Sequence, residues 1–577
     1  MTDDLRPGVV QALREIGILL RLTGDARFRA RAYERAADAL ERVPRPLDAL
    51  IERGELTAIP GIGARLAGII EEIARTGSAR LLEQLRAQFP AGTVELIDIP
   101  YLGLKKIAAL EAALGISSRA ELRAACAAGC VRAVPGFSAR AEEKILAALD
   151  APRARDESVR SETALAAAEP LLDYLRDCPP VARLDMAGSL RRGRETVRRV
   201  HVVAATGSPA AVLDRFERYP GSVGTAARSE ADAAVQLVDG PAAVLHAVAR
   251  AEYAAALVCF TGSRAHVEKL SERARAQELR LDRTGLWTSA GRRVPIRSEE
   301  ALYRRLGLQP IPPELREGAG EIEAAERGAL PDLIGAADVR GAVHVHTTYS
   351  DGKNSIEEMA RAAEAMGMQY LTITDHSPSA AYAGGVTLDR LRRQWEEIAR
   401  VQERVSIRLL RGTESDILRN GALDYPDDIL EQFDVIIASI HARHRLSASE
   451  MTERVLTAMR YPVFKIWGHP LGRLLTKRPP IDCDVERILD AIAVSQAAIE
   501  INGDPYRLDL EPRWVRAARA RRIPFVLSTD AHSVGALANV RFAVSVARRG
   551  WVAKDEVLNA LPPEEFAARV HPMGPAF

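Results

Sequence analysis

The sequence predicts a multidomain protein in three textures: an all-α amino-terminal region, a mixed α+β middle, and a carboxy-terminal α/β barrel of parallel strands. Three observations predict it. Apolar residues recur at helical spacing through the first 150 positions, where aromatic and β-branched runs are rare. Strand-like and helical patterns then mix between about 165 and 310. Beyond Arg340, seven short apolar runs alternate with helical patterns, as in a parallel sheet with crossover helices. At 577 residues the chain is also too long for one hydrophobic core, which stops growing near roughly 250–300 residues.

In chain order, helical spacing runs through Val9–Leu22, Ala30–Leu40, Leu66–Ile73 and Ile107–Leu114. Ile59-Pro60-Gly61-Ile62-Gly63, followed by Ala64-Arg65-Leu66-Ala67, fits a helix-hairpin-helix, in which glycine lets backbone N–H groups at a helix start approach a DNA phosphate. Gly61, Ile62, Gly63 and Arg65 are therefore candidate DNA contacts. A lone Pro-Gly-x-Gly also fits an ordinary turn, but two degraded echoes follow: Pro100-Tyr101-Leu102-Gly103-Leu104-Lys105-Lys106 and Pro135-Gly136-Phe137-Ser138-Ala139-Arg140. Gly103 and Lys105 join the candidates, although Tyr101 replaces a glycine of the pattern. The polar stretch Pro152–Glu162 marks a domain boundary. Val181–Ala187 and Val200–Ala205 read as strands and Ala265–Gln277 as a helix, while Pro310–Pro331, punctuated by proline and acid, reads as a surface connector. The seven later strands are expected at Ala342–Val345, Tyr370–Thr374, Ile407–Leu410, Val435–Ile440, Val463–Trp467, Ala497–Ile501 and Phe525–Ser528.

Composition narrows the function classes. A formal charge of +1 excludes a globally basic coat, so any nucleic-acid surface is a local stripe. The basic residues are eight Lys and 71 Arg, a usage that suits bidentate phosphate contacts and equally fits genomic bias. No stretch approaches the roughly 18 apolar residues that span a bilayer, and Met1-Thr2-Asp3-Asp4 is acidic where a secretory leader is basic. The expectation is a cytoplasmic protein with no membrane partner. Cys126, Cys130, Cys178, Cys259 and Cys483 are scattered, without the second pair that a zinc site needs, and are expected to be buried free thiols.

The chemistry concentrates in the last region. His344-Val345-His346 places two imidazoles on one face of a strand of period two, where they can share a metal. Asp351 follows in the next loop, and later strands end in His376, Glu414, His441, His469, and Asp530 with His532. Carboxyl ends of parallel barrel strands are where such folds place their chemistry. A lone histidine there is usually structural; a set at equivalent topological positions is not. These ligands are too many for one ion, so two or three metals are expected. Imidazole-rich ligation suits Zn2+ or Mn2+ better than Mg2+. Clustered divalent ions supply hydroxide near neutral pH and neutralise phosphate oxygens, which points to phosphodiester or phosphomonoester hydrolysis.

These segments resemble the polymerase and histidinol phosphatase (PHP) domain, a metal-dependent phosphoesterase built as a distorted (βα)7 barrel, over about 338–570. The resemblance implies one ion on His344, His346, Glu414 and Asp530, a second sharing Glu414 with His441 and His469, and a third on Asp351, His376 and His532. It makes Asp351, Glu414 and Asp530 catalytic candidates, together with Arg473, which aligns with a position that holds substrate phosphate. The earlier part resembles bacterial family X DNA polymerases in Phe28-Arg29-Ala30-Arg31-Ala32-Tyr33, Gly188-Ser189-Leu190-Arg191-Arg192-Gly193 and Phe260-Thr261-Gly262-Ser263. That family's organisation implies a helical hairpin domain at 1–90, a second helical domain at 91–155, a nucleotidyltransferase-like palm at 156–260, a thumb at 261–316, a linker at 317–337 and the PHP domain at 338–577. Gly188, Ser189, Arg192, Thr261, Gly262 and Ser263 are then nucleotide or phosphate contacts, vestigial if the palm is inactive.

The palm departs from its relatives. Nucleotide addition needs carboxylates to hold two metal ions, and the family pattern after Glu195-Thr196-Val197 is Gly-Asp-x-Asp. This chain has Arg198-Arg199-Val200-His201, and Pro241-Ala242-Ala243-Val244-Leu245-His246 lacks the third acid. Asp185, Glu195, Glu230 and Asp232 lie nearby but would have to rebuild a site tolerant of only ~0.5 Å of error. Mg2+ at the palm is not expected. A lyase step through a Schiff base needs an amine, and no lysine precedes Lys105. The expectation is a monomeric DNA-repair protein that binds gapped, nicked or 3'-ended DNA and hydrolyses it in the PHP domain, as a 3'-5' exonuclease, abasic-site endonuclease or 3'-phosphatase. The alternatives are an active repair polymerase with an exonuclease, a noncatalytic DNA-binding scaffold, and a small-molecule phosphatase.

Overall fold

The computed structural model describes residues 6–573 except 24–29, 31, 34–35, 38, 41–46, 60–61, 91, 98, 100–101, 151–157, 239 and 443–445. Two compact units, Met1–Asp156 and Glu157–Phe577, meet within the polar stretch. The described residues of the first unit are helical and form two cores. In one, Leu13, Ile16 and Leu19 of α1 (Arg6–Leu22) pack with Ile70 and Ile73 of α2 (Ala64–Thr76). In the other, Ile107 and Leu110 of α3 (Leu104–Leu114) pack with Leu122 of α4 (Arg119–Ala127) and Ile145 of α5 (Ala139–Asp150). Gly63 and Gly103 cap the starts of α2 and α3 in extended conformation. Gly61, Pro100 and Tyr101 lie outside the described residues, as do Phe28, Arg29 and Arg31.

The second unit opens with α6 (Ser161–Arg176) and a five-stranded sheet: β1 (Val181–Ala187), β2 (Arg199–Thr206), β3 (Ser222–Arg228), β4 (Asp232–Leu237) and β5 (Ala242–Val248), in the order β1-β2-β5-β4-β3. Only β2 and β5 pair in parallel. Helix α7 (Gly188–Arg191) sits at the end of β1; α8 (Tyr253–Thr261) and α9 (Arg264–Arg275) follow, then a three-stranded antiparallel sheet over 279–294. Ser263 starts α9 by accepting a hydrogen bond from the His266 amide at 3.1 Å.

The segment expected to be a surface connector is instead core. Ile311, Leu315, Ile322 and Ala325 are buried with Leu270 and Leu302, and α10 (Glu321–Glu326) lies within it. Proline and acid do punctuate it, but apolar residues spaced along the turns anchor it. Its charges are also paired: Glu321 Oε1 lies 2.7 Å from His266 Nδ1, both fully buried, and Arg316 bonds Glu299 at 2.5 Å.

The barrel strands are β6 (Gly341–Val345), β7 (Tyr370–Ile373), β8 (Arg408–Asp416), β9 (Val435–Ser439), β10 (Lys465–Trp467), β11 (Ala497–Asn502) and β12 (Phe525–Ser528), paired in parallel in sequence order. Nearly every strand residue is buried, as parallel strands covered on both faces require. The ends nearly close: Val345 bridges Ala531, and the His346 amide donates to the Ala531 carbonyl at 2.9 Å. Helices between strands start at built caps, as in Ser355 with Glu358 before α11 (Ile356–Ala365) and Ser447 with Glu450 before α12 (Ala448–Arg460). Among the cysteines, Cys126 and Cys178 are buried as expected; Cys130 is exposed, and Cys259 and Cys483 are half-buried.

Candidate metal centre

The nine ligand candidates converge at the carboxyl ends of the barrel strands. Regular alternation does not deliver the first two. β6 shifts register between Ala342 and Val345, and His344 takes φ +62°. The displaced amides are met by side chains, His344 N–H donating to Thr372 Oγ1 (3.2 Å) and Val345 N–H to Thr374 Oγ1 (2.8 Å). His469 (φ +23°) and Asp530 (φ +49°) are likewise left-handed non-glycine residues, so three ligand candidates store backbone strain that the surrounding core holds in place.

Three groups have ligand atoms close enough to share a cation: His344, His346 and Asp530; His376, Glu414 and His441; and His346, Asp351, His376 and His532. His469 Nε2 stands 2.8 Å from Glu414 Oε1. His346 and His376 thus each serve two groups, where the resemblance gave each to one ion. His344, His346 and Glu414 are fully buried, whereas Asp351 and His532 remain over a third exposed, so the centre opens on their side.

Three imidazoles have their orientation fixed from behind. His344 Nδ1 meets Glu500 (2.5 Å), His441 Nδ1 meets Asp416 (2.9 Å), and His532 Nδ1 meets the Asp530 carbonyl (2.8 Å). With Nδ1–H donating there, each Nε2 faces a carboxylate oxygen across a gap that takes a proton or a cation: His344 to Glu414 at 3.3 Å, His441 to Glu414 at 3.2 Å, His532 to Asp351 at 3.3 Å. Two acceptors in contact repel unless a cation or proton lies between them. In addition, His344 Nε2, both nitrogens of His346, His376 Nδ1, His469 Nδ1 and Glu414 Oε2 are buried without a hydrogen bond. The donor set therefore fits divalent cations.

The electrostatics agree. Burial would lower His344, but Glu500, Glu414 and Asp530 hold it well above the ordinary imidazole value. Burial opposes ionisation of Glu414 and Asp530, yet neighbouring imidazoles hold both well below the carboxylate range, with Arg507 assisting at Asp530. Against burial, Glu414 and Asp416 lift His441 to about 10, and Asp351 and Asp530 lift His532 to about 9. Burial and two imidazole neighbours push His346 down to about 3.

The supporting carboxylates were missed in the sequence, though a signal existed: Glu500 interrupts an apolar strand, and Asp416 follows Glu414 by one strand period. Asp375 accepts from Thr347 N–H and Oγ1 (both 2.7 Å), Ser350 Oγ (2.5 Å) and Gln394 (2.6 Å), fixing the loop that carries Asp351. The Arg473 guanidinium bonds the carbonyls of Arg507 and Leu508 and pairs with Glu195 and Glu511. Arg507 occupies the position beside the ligands, its Nε 3.0 Å from Asp530 Oδ2.

At the palm, Arg199 is exposed at the start of β2. His201 Nδ1 lies 3.1 Å from His246 Nε2, and His246 Nδ1 lies 2.6 Å from Asp232, which also pairs with Arg283 at 3.0 Å. Asp185 accepts from Tyr253, and Glu195 pairs with Arg549 at 2.8 Å. Gly188 takes φ +68° against the His201 ring, where a Cβ would approach within 2.9 Å. Thr261 does meet the Gly188–Arg192 turn, but the arginines there are engaged: Arg191 by Glu299 and Thr261, Arg192 by Glu317 and the Thr261 carbonyl; Gly262 and Ser263 instead face His266 and Arg316. Among the described residues, all three cation-competent groups lie in the barrel. In the first unit Ile62 is buried, while Gly63, Arg65, Gly103 and Lys105 are exposed around the starts of α2 and α3.

Family models match four stretches: helix-hairpin-helix domain (5–79), SAM-like helix-hairpin-helix tandem (94–151), DNA polymerase beta thumb (256–317) and PHP domain (342–503). The chain is 34% identical to the DNA polymerase/3'-5' exonuclease PolX of Bacillus subtilis over 561 residues, covering 96% of this chain and 97% of the relative. The chain is also 28% identical over 228 residues to a probable phosphatase of Thermoanaerobacter sp. (strain X514), covering 37% of this chain and 88% of the relative. A probable phosphatase of Shewanella oneidensis is 26% identical over 38% of this chain and 86% of the relative.

Proposed function

The chain belongs to the PolX family, proteins with helix-hairpin-helix modules, a family X polymerase thumb and a carboxy-terminal PHP domain, and from that premise we propose that its working chemistry is metal-dependent hydrolysis of DNA phosphoesters in the barrel. The action proposed is 3'-5' exonucleolytic, extending to abasic sites or 3'-phosphates. The observation that carries the reading is the convergence of three cation-competent groups, with Nε2 of His344, His441 and His532 held 3.2 to 3.3 Å from carboxylate oxygens. Bound Mn2+ or Zn2+ supplies a water of lowered pKa and neutralises phosphate oxygens. Glu414 joins the groups, Asp416 and Glu500 orient the imidazoles, and the partly exposed Asp351 and His532 face the arriving phosphate.

The palm is proposed to be inactive in nucleotide addition. His201 and His246 stand on the strands where acids are needed, and Asp232, Asp185 and Glu195 are each bonded or paired to a neighbouring side chain. The helical modules are proposed to deliver DNA through backbone N–H groups at the starts of α2 and α3, with Gly63, Arg65, Gly103 and Lys105 nearest the phosphates. The protein is proposed to act as a cytoplasmic monomer.

The test replaces His344 and His346 by Ala and follows a labelled single strand in Mn2+. Shortening should be abolished while DNA binding stays measurable; unimpaired shortening would refute the reading. The phosphatase relatives favour a second reading, hydrolysis of a small phosphomonoester, which preference for a free sugar phosphate over DNA would select.

A further inference from the structure

Tyr382 is 72% exposed, far more than any other aromatic side chain among the large exposed hydrophobics of the described residues. Its ring centroid stands 6.1 Å from the His376 imidazole and 6.1 Å from that of His441, two members of one cation-competent group. Isolated exposed apolar residues are ordinary on a protein surface; one at the mouth of a charged centre is not. The loop that carries it is firmly built. Ser377 N–H donates to the Glu414 carbonyl (3.0 Å) and Val386 N–H to the His376 carbonyl (2.8 Å). Ser379 Oγ donates to Asp416 (3.0 Å), the same carboxylate that orients His441. Arg390 ties the Gly384 carbonyl at 2.7 Å, and Ala380 and Ala383 are buried on either side. A rigid loop therefore holds an aromatic face in water beside the ligands.

We propose that Tyr382 is a nucleobase subsite: its ring stacks on the base of the terminal nucleotide of a single-stranded DNA end while that nucleotide's phosphoester lies on the ligand cluster. The proposal rests on the nuclease reading above. Stacking is sequence-tolerant because every base presents a π-face, and it would let a centre shared with phosphatases favour DNA over small phosphates.

The experiment compares wild type, Tyr382→Ala and Tyr382→Trp on single strands whose 3'-terminal residue carries a base or is a tetrahydrofuran abasic analogue. Tyr382→Ala should lose about tenfold in kcat/KM on the base-bearing end and nothing on the abasic end, and Tyr382→Trp should retain activity on both. Equal loss on both ends, or none on either, overturns the proposal. Stacking is read without turnover from a 3'-terminal 2-aminopurine added to chelator-treated protein. Quenching by wild type that Tyr382→Ala loses supports the subsite, and absence of quenching overturns it. A wild type that quenches 2-aminopurine but shortens neither strand refutes the nuclease reading alone.

Discussion

Arg507 holds its Nε 3.0 Å from Oδ2 of Asp530, and its carbonyl accepts from Arg473, whose guanidinium reaches Glu195 beside the palm sheet at 3.7 Å. A cation competes with Arg507 for the charge of Asp530. Arg507→Ala should therefore destabilise the cation-free protein by about 3 kcal/mol, the lower range for breaking a buried pair. Saturating Mn2+ should narrow the gap in Tm between variant and parent. A gap that Mn2+ leaves unchanged would separate Arg507 from the metal centre.

The palm and the barrel are packed without slack. Gly193 takes φ +68°, and a Cβ there would meet Ser545 Oγ at 2.0 Å, while Glu195 two residues on pairs with Arg549 at 2.8 Å. Gly193→Ala should cost about 1–3 kcal/mol through strain and overpacking, and Glu195→Gln should make the 190s more open to protease. Thermal melts and limited proteolysis check both; parental behaviour of both variants would mean the contact is slack.

Acid should loosen the palm and thumb. Burial, with His246, Arg199 and Arg192, lowers His201 to about 4, and burial lowers His266 although Glu321 opposes it. Between the folded value and the ordinary 6.5, the unfolded chain binds the extra proton, so stability rises with pH through that window and is lost as pH falls. Glu321 is also held below its ordinary value despite burial, adding loss at still lower pH. Urea midpoints of the protein should drop from pH 7 to pH 4.5, and His201→Gln should flatten the slope. An unchanged slope would contradict the assignment to His201.

Cation binding should stabilise by mass action, about 2.7 kcal/mol at a hundredfold excess over Kd. Chelation should lower Tm and added Mn2+ or Zn2+ restore it. His344→Ala with His346→Ala should show almost no such response, and a full response in that variant would place the cations elsewhere.

Much of this was legible in the sequence because burial leaves a strong pattern. The seven barrel strands are covered on both faces and read as short apolar runs, and the ligands follow at their ends. What was not legible depends on backbone deviations and side-chain direction. The register shift at β6 and the φ of His344 fall where the strand closes against Ala531, a contact nearly 190 residues away in sequence. Arg507, which the sequence reading did not single out, reaches Asp530 from the loop whose Leu508 carbonyl accepts from Arg473. Pro310–Pro331 carries connector punctuation, while Ile311, Leu315 and Ile322 take it into the core.

The central claim is that synthesis has been lost at the palm while hydrolysis persists in the barrel. Purified protein with Mn2+, a labelled primer-template and all four dNTPs measures both at once. The primer should shorten and never lengthen, whereas primers growing beyond their starting length would contradict the account.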